Sequence, residues 1–344
     1  MKSSSELFPV TLARADNLAG FTDDVYLVKH NLDKDRSVEV AVTHLSPGSY
    51  ETSPARDGRR PPVVLLHGSF TNRSFWLTAD GEGLAAWLVR QGFDVWLMEQ
   101  RGHGLSPRNN DYTGNTSQQY ACYDVPAVND FVCEKTGEYP AWIGHSLGGV
   151  VLATAIAAGK LRPDNCAGVM SFGAQILKRP WYLWMPLGSL SLRTLMSLKG
   201  ELDGRKIGIG PENEPAGIVN EYLARQAIFG KWQLENIKQP LLPAWRQANV
   251  PLRMFAGAGD RIDPASCCRR FYEHYGSDAG IEVAKSMTLL GVENGFSEDY
   301  DHLGMVISPA ARDEVWPLVA NWLGDLVALP GAPVATSEPE PAEY

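Results

Sequence analysis

Residues 141–149 read Ala-Trp-Ile-Gly-His-Ser-Leu-Gly-Gly, and no other stretch restricts the fold of this chain as tightly. A short apolar run leads into Gly144-x-Ser146-x-Gly148, and a run of mostly small apolar residues, Val150 to Ala158, leads out of it. That pattern describes a strand, a sharp turn and a helix. The turn forces Ser146 into a strained backbone conformation. The positions two residues to either side must be small, because strand and helix pass close to each other there. A serine held in this way presents its hydroxyl in the open. The Leu147 N–H, at the start of the helix, then points to where a negatively charged oxygen would form. In a chain with 33 glycines the bare motif also arises by chance, as a helix-entry turn with a capping serine. The flanking runs and the partner residues described below select the catalytic reading.

A length of 344 residues accommodates one large α/β domain with an insertion, or two ordinary domains. The formal charge is −9 with no block dense in Lys and Arg, which argues against nucleic acid or an anionic membrane as partner. No apolar run is long enough to span a bilayer. The Met-Lys-Ser-Ser-Ser-Glu start lacks the apolar core of a signal peptide, so the cytoplasm is the expected compartment. Cysteines 122, 133, 166, 267 and 268 form no Cys-x-x-Cys pairs, so no metal site is expected. They read as free thiols, with Cys267-Cys268 as helix packing.

Asp24–Lys29 and Ser37–Val42 alternate with period two and predict a hairpin at a sheet edge, while residues 1–20 show little pattern. Pro62–Leu66, Phe93–Met98, the run into Ser146 and Gly168–Gly173 read as strands buried on both faces. Helical patterns lie between them, around Gly83–Arg90, Val125–Glu134 and after Ser146. This rhythm predicts a doubly wound, mostly parallel sheet. It breaks over residues 175–245, where aromatic and aliphatic residues gather without a strand and helices are expected at about 187–199 and 215–230. It resumes with a strand at Leu252–Ala256, a helix at Pro264–Tyr275, a strand at Ile281–Leu290 and a helix at Arg312–Ala328. The expected organisation is a core over 1–174 and 246–329, a helical cap inserted at 175–245, and a Pro-, Ala- and Glu-rich disordered tail at 330–344.

A serine nucleophile needs a base to take its proton and a carboxylate to orient that base. On a sheet of this kind the partners follow in the order serine, acid, histidine. Ala256-Gly257-Ala258-Gly259-Asp260-Arg261-Ile262-Asp263-Pro264 leaves a strand and enters a helix, and Asp260 stands where the acid belongs. Asp263 competes with it, but directly before Pro264 it reads equally well as a helix N-cap. His302, in Asp299-Tyr300-Asp301-His302-Leu303-Gly304, follows the last strand and is the expected base. His274 falls within a predicted helix. His145 is expected to point away from its neighbour Ser146, and His103 to lie in a loop near the rim. His67-Gly68-Ser69 would place the Ser69 N–H as the second oxyanion donor beside that of Leu147.

Five stretches carry a family resemblance: Leu66-His67-Gly68-Ser69-Phe70, Gly92–Leu97 with Arg101-Gly102, Tyr123–Ala127, Gly144–Gly148 and Tyr300–Leu303. Over nearly its whole folded length the chain resembles the α/β-hydrolase superfamily of serine esterases and lipases. It looks closest to the lysosomal and gastric acid lipases and their bacterial relatives. The resemblance implies an α/β-hydrolase fold and ester hydrolysis without a metal or organic cofactor. The expected function is therefore that of a serine carboxylester hydrolase with a small lipophilic ester as substrate. Phe70, Trp181, Trp184 and Met185 are candidates to line the substrate pocket. Two rivals remain: a thioester, lactone or carbon–carbon bond hydrolase using the same triad, and a ligand-binding protein that keeps the fold with little turnover.

Overall fold

Three five-residue runs, Pro62–Leu66, Ala141–His145 and Gly168–Phe172, are buried along their whole length. Strands that leave water on both faces belong at the centre of a parallel sheet covered by helices on each side, and that is where they lie. The computed structural model describes residues 9–48, 60–178, 188–227 and 230–328. In chain order its strands are β1 (Val10–Leu18), β2 (Phe21–Val28), β3 (Val40–Pro47), β4 (Pro62–Leu66), β5 (Asp94–Met98), β6 (Ala141–His145), β7 (Gly168–Phe172), β8 (Glu201–Asp203), β9 (Asn213–Pro215), β10 (Gln233–Leu234), β11 (Gln239–Pro240), β12 (Leu252–Gly257) and β13 (Lys285–Leu290). Nine of them form one sheet in the order β1-β2-β3-β5-β4-β6-β7-β12-β13. Pairing is antiparallel from β1 to β5 and parallel from β5 to β13.

The main helices are α1 (Leu84–Arg90), α2 (Val125–Thr136), α3 (Leu147–Ala157), α4 (Gly188–Lys199), α5 (Ala216–Gln226), α6 (Leu242–Gln247), α7 (Ala265–His274) and α8 (Trp316–Ala328). Alternation along β4 divides the core. Val64 and Leu66 join Trp142 in packing on Val128 and Phe131 of α2 and Val151 of α3. Val63 and Leu65 join Ile143 on the other face, against Leu84 and Leu88 of α1 and Val319 and Leu323 of α8. The strand carrying Ser146 is thus held from both sides.

Three features depart from the sequence reading. β1 was not anticipated, because an edge strand with polar, mostly exposed residues and a bulge between Leu12 and Arg14 has no apolar alternation to detect. The last strand begins only at Lys285, and the last helix is divided. Ser308 caps a short helix, Pro309–Glu314, and α8 starts afresh at Trp316 with Pro317 in its first turn. Within the stretch between β7 and β12, α4 and α5 occupy the two expected helical regions. The β8–β9 and β10–β11 ladders beside them are too short to leave a periodic signal. Residues 330–344 lie outside the described residues. Among the described residues no helix is long and apolar enough to cross a membrane.

Candidate active site

Ser146 sits at the junction of β6 and α3 with φ 52° and ψ −119°, and its N–H donates to Phe172 O at 2.9 Å. The size restriction around it is a matter of backbone against backbone. A Cβ on Gly144 would lie 2.6 Å from Gly149 N, and one on Gly148 would lie 2.4 Å from Leu66 O. Neither neighbour can yield without moving β4 or α3, so both positions require glycine. The strain at Ser146 is held by these two close crossings. Among the described residues, neither the Leu147 nor the Ser69 N–H donates to a protein acceptor. Two free amides flanking a half-buried serine are what an oxyanion site needs.

His302 and Asp260 meet at the carboxyl ends of the sheet strands. His302 Nδ1 lies 2.8 Å from Asp260 Oδ2, and both side chains are buried. A carboxylate can only accept, so Nδ1 carries the proton and Nε2 is left to receive one. Asp260 Oδ1 accepts the Ile262 and Asp263 N–H groups, each at 2.8 Å, which fixes the carboxylate in place. Gly173, with φ 52°, closes the pocket: a Cβ there would lie 3.0 Å from Asp260 Oδ2 and 3.1 Å from His302 Nδ1. The Ser146 hydroxyl has no hydrogen-bond partner among the described residues.

Asp263 is not a helix N-cap. The residue before α7 is Pro264, with no side-chain cap, and the Asp263 carboxylate accepts Gln175 Nε2 at 2.5 Å instead. Burial pushes its acid up to about 6, against the hydrogen bond from Gln175 and the nearby His302. Gln175 carried no recognisable signal in the sequence.

His145 packs against Phe75 and His302. Its ring stacks on Phe75 at 4.4 Å between centroids and lies 4.7 Å from the His302 ring. Its Nε2–H donates to His302 O at 2.8 Å, so the residue beside the serine props the backbone of the expected base. Burial and the neighbouring His302 hold His145 down at about 3. Burial does the same for His67, with His103 adding to it, again to about 3. His67 donates from Nδ1 to Gly68 O at 2.8 Å and accepts Gln100 N–H on Nε2 at 3.1 Å. Both rings stay neutral in the fold, whereas in the unfolded chain they take a proton near pH 6.5. Their contribution to stability is therefore complete above pH 6.5 and is lost as pH falls toward 3. At pH 5 the loss is about 2 kcal/mol for each ring. In His145→Asn, whose amide can still reach His302 O, the stability difference between pH 7.5 and 5 is expected to shrink by about 2 kcal/mol. Urea denaturation at the two pH values measures it, and an unchanged difference would show that His145 accepts a proton in the fold.

The loop after β4 is gripped by the segment inserted between β7 and β12. Phe70 has φ 58°, an unfavourable value for a bulky residue. Its N–H donates to Glu214 Oε1 at 2.7 Å and its carbonyl accepts the Glu212 N–H at 3.0 Å. Glu214 is buried and also lies 3.3 Å from His103 Nε2. His103 is therefore an interior residue and not part of a rim. Burial alone would lower its basicity, but the Glu214 carboxylate outweighs this and raises it. Glu214 belongs to no sequence motif, and nothing short of the folded chain brings it to Phe70. Trp181, Trp184 and Met185 lie outside the described residues. Trp232, grouped with them by composition, packs in the interior with ring centroids 5.9 Å from Trp245 and 5.7 Å from Phe271.

The sheet order, the strained serine between β6 and α3, and the Asp260–His302 pair at the strand ends define an α/β hydrolase. The sequence model of the family described as Serine aminopeptidase, S33, matches residues 59–288, and the chain belongs to that family. Human lipase member K is 36% identical over 104 residues, which cover 28% of this chain and 26% of the lipase. Human gastric triacylglycerol lipase is 35% identical over 100 residues, covering 26% of this chain and 25% of its own. The chain thus spans about a quarter of the length of these curated relatives. A thermophilic esterase from Thermogutta terrifontis shares the fold, with TM-score 0.57 at 14% identity over 91% of this chain and 99% of the esterase.

Proposed function

We propose that this chain is a serine carboxylester hydrolase in which Ser146, His302 and Asp260 act as the triad. The observation that carries the proposal is the 2.8 Å contact between His302 Nδ1 and Asp260 Oδ2, made beside a serine held at φ 52°. His302 Nε2 takes the Ser146 proton as Oγ attacks the ester carbonyl. The Ser69 and Leu147 N–H groups hold the resulting oxyanion, a contribution of about 3 kcal/mol from each donor. His302, now protonated, gives its proton to the leaving alcohol, and water then cleaves the acyl-enzyme. The scheme calls for no metal or organic cofactor. The lipase relatives point to the same kind of bond.

We further propose that residues 175–245 act as a cap over this site, between core segments 1–174 and 246–329, and that Phe70 and the apolar residues Trp181, Trp184 and Met185 of this segment serve to receive the substrate's hydrocarbon portion. The apolar character of the described part of this segment supports that role: Leu190, Leu195 and Leu198 of α4 are more than half exposed. A hydrocarbon chain received there gains about 0.8 kcal/mol per methylene, or about fourfold in affinity. In a panel of p-nitrophenyl esters, kcat/KM is accordingly expected to rise with acyl length over the first several carbons. Trp184→Ala should flatten the rise and spare the acetyl ester. A steady fall from acetyl upward would mean that the cap closes the pocket.

A second reading follows the family description, removal of an N-terminal residue from a peptide. The feature in its favour is Glu214 Oε2, a buried carboxylate oxygen with no hydrogen-bond partner among the described residues, next to the Ser69–Phe70 loop. An aminoacyl p-nitroanilide separates the two readings: turnover of it above that of the butyryl ester would favour the peptidase.

A further inference from the structure

Between α5 and the core, apart from the triad, lies a cavity of about 750 Å³. None of Ser69, Ser146, Leu147, Asp260 and His302 lines it. Trp232 is part of its lining, and the indole N–H donates to Thr154 Oγ1 at 3.2 Å. Thr154 lies two turns of α3 beyond Ser146, about 12 Å along the helix axis. The lining carries both signs of charge, but the signs are not equally engaged. Asp33 accepts Arg101 Nη1 at 2.6 Å and Gln119 Nε2 at 3.1 Å. Glu221 accepts the Ser117 N–H at 2.7 Å and Gln118 Nε2 at 3.2 Å. Glu235 is paired with Lys238 and accepts Gln233 Nε2 at 3.2 Å. Every carboxylate in the lining is thus committed to a protein donor.

The cations are not. Lys34, Arg193, Arg225 and Lys231 line the same space, and among the described residues none is hydrogen-bonded or ion-paired to a carboxylate. Arg225 is the most telling. Its Nε is buried without a hydrogen-bond partner among the described residues, and its guanidinium lies 5.9 Å from the Tyr222 ring centroid. Burial disfavours its charge, with Glu221 and Tyr222 opposing from nearby. A guanidinium whose Nε is shut off from water without an acceptor among the described residues carries a desolvation cost, and an anion lodged against it would relieve that cost. Trp232 and Leu234 supply apolar surface to the same lining.

We propose that this cavity is a second binding site, taking an amphiphile whose carboxylate or phosphate head lies against Arg225, flanked by Arg193 and Lys231, with its short apolar chain on Trp232 and Leu234. Calorimetric titration of the full chain with octanoate, octyl phosphate and, as the uncharged control, octanol tests it. At least one of the two anions is expected to bind with a submillimolar Kd, and octanol is not. Binding of octanoate alone assigns a carboxylate head, binding of octyl phosphate alone a phosphate monoester, and either result supports the site. Arg225→Gln should weaken the anion at least about tenfold, as for loss of a charge-assisted hydrogen bond. Arg193 and Lys231 are exposed, so the double variant R193Q/K231Q tests the site even if Arg225→Gln fails to fold. It should weaken binding several-fold and make it less dependent on salt. Equal affinity for octanol, absence of heat with both anions, or an affinity unchanged in R193Q/K231Q would overturn the proposal.

Discussion

Replacing Ser146 by alanine is expected to lower ester turnover by about 10³- to 10⁶-fold, the range seen when a triad member is removed. The residual rate would come from the proposed oxyanion donors, the amides of Ser69 and Leu147, which the substitution leaves in place. The fold should tolerate the change. The hydroxyl makes no hydrogen bond among the described residues, and alanine has the same Cβ in the same strained turn. Thermal unfolding should therefore shift little, which separates a catalytic loss from a structural one. A fluorophosphonate should label Ser146 and no other serine, with mass spectrometry of the tryptic peptides as the readout. An active Ser146→Ala protein, or labelling elsewhere, would remove the basis of the proposed mechanism.

The second large effect distinguishes two carboxylates three residues apart. Asp260→Asn should reduce kcat by about 10⁴-fold, because an amide NH₂ facing His302 favours the wrong imidazole tautomer and no longer compensates the imidazolium. Asp263→Asn should cost less than about tenfold, since Asp263 bonds Gln175 and makes no hydrogen bond to the His302 ring. Its effect belongs instead to stability. A carboxyl held at about 6, above its unfolded value, is favoured in the fold while protonated, so its contribution declines as pH rises from about 4 to 6. Asp263→Asn should therefore flatten the stability profile over that interval, by about 1–2 kcal/mol after allowance for its partial exposure. If Asp263→Asn proves the more damaging to turnover, the acid has been assigned to the wrong residue.

The acid limb bears on where such a hydrolase can work. His67 and His145 are buried neutral next to the serine and the base, held at about 3 by burial. Each opposes folding once the medium falls below the unfolded imidazole value. Both histidines thus lower the stability of the fold as pH falls below about 6.5.

Local constraints were legible without the fold. The elbow is a steric statement about Gly144, Ser146 and Gly148, and its flanking runs declare a buried strand and a helix. The fully apolar runs at Pro62–Leu66, Ala141–His145 and Gly168–Phe172 declare the centre of a parallel sheet, because only that place leaves both faces dry. The order Ser146, Asp260, His302 follows from that topology. What remained hidden were contacts that no local rule anticipates. Motif position favoured Asp260 over Asp263 without showing what each carboxylate meets; Gln175, three residues past β7, takes Asp263, and Asp260 meets His302. His145 is turned under His302, and its ring nitrogen reaches a carbonyl 157 residues away. Glu214 reaches the Phe70 amide across 144 residues. Periodicity and turn chemistry act over a few residues. Hydrogen bonds between the sheet, its loops and the inserted segment are set by how whole layers pack, and only the tertiary structure decides them.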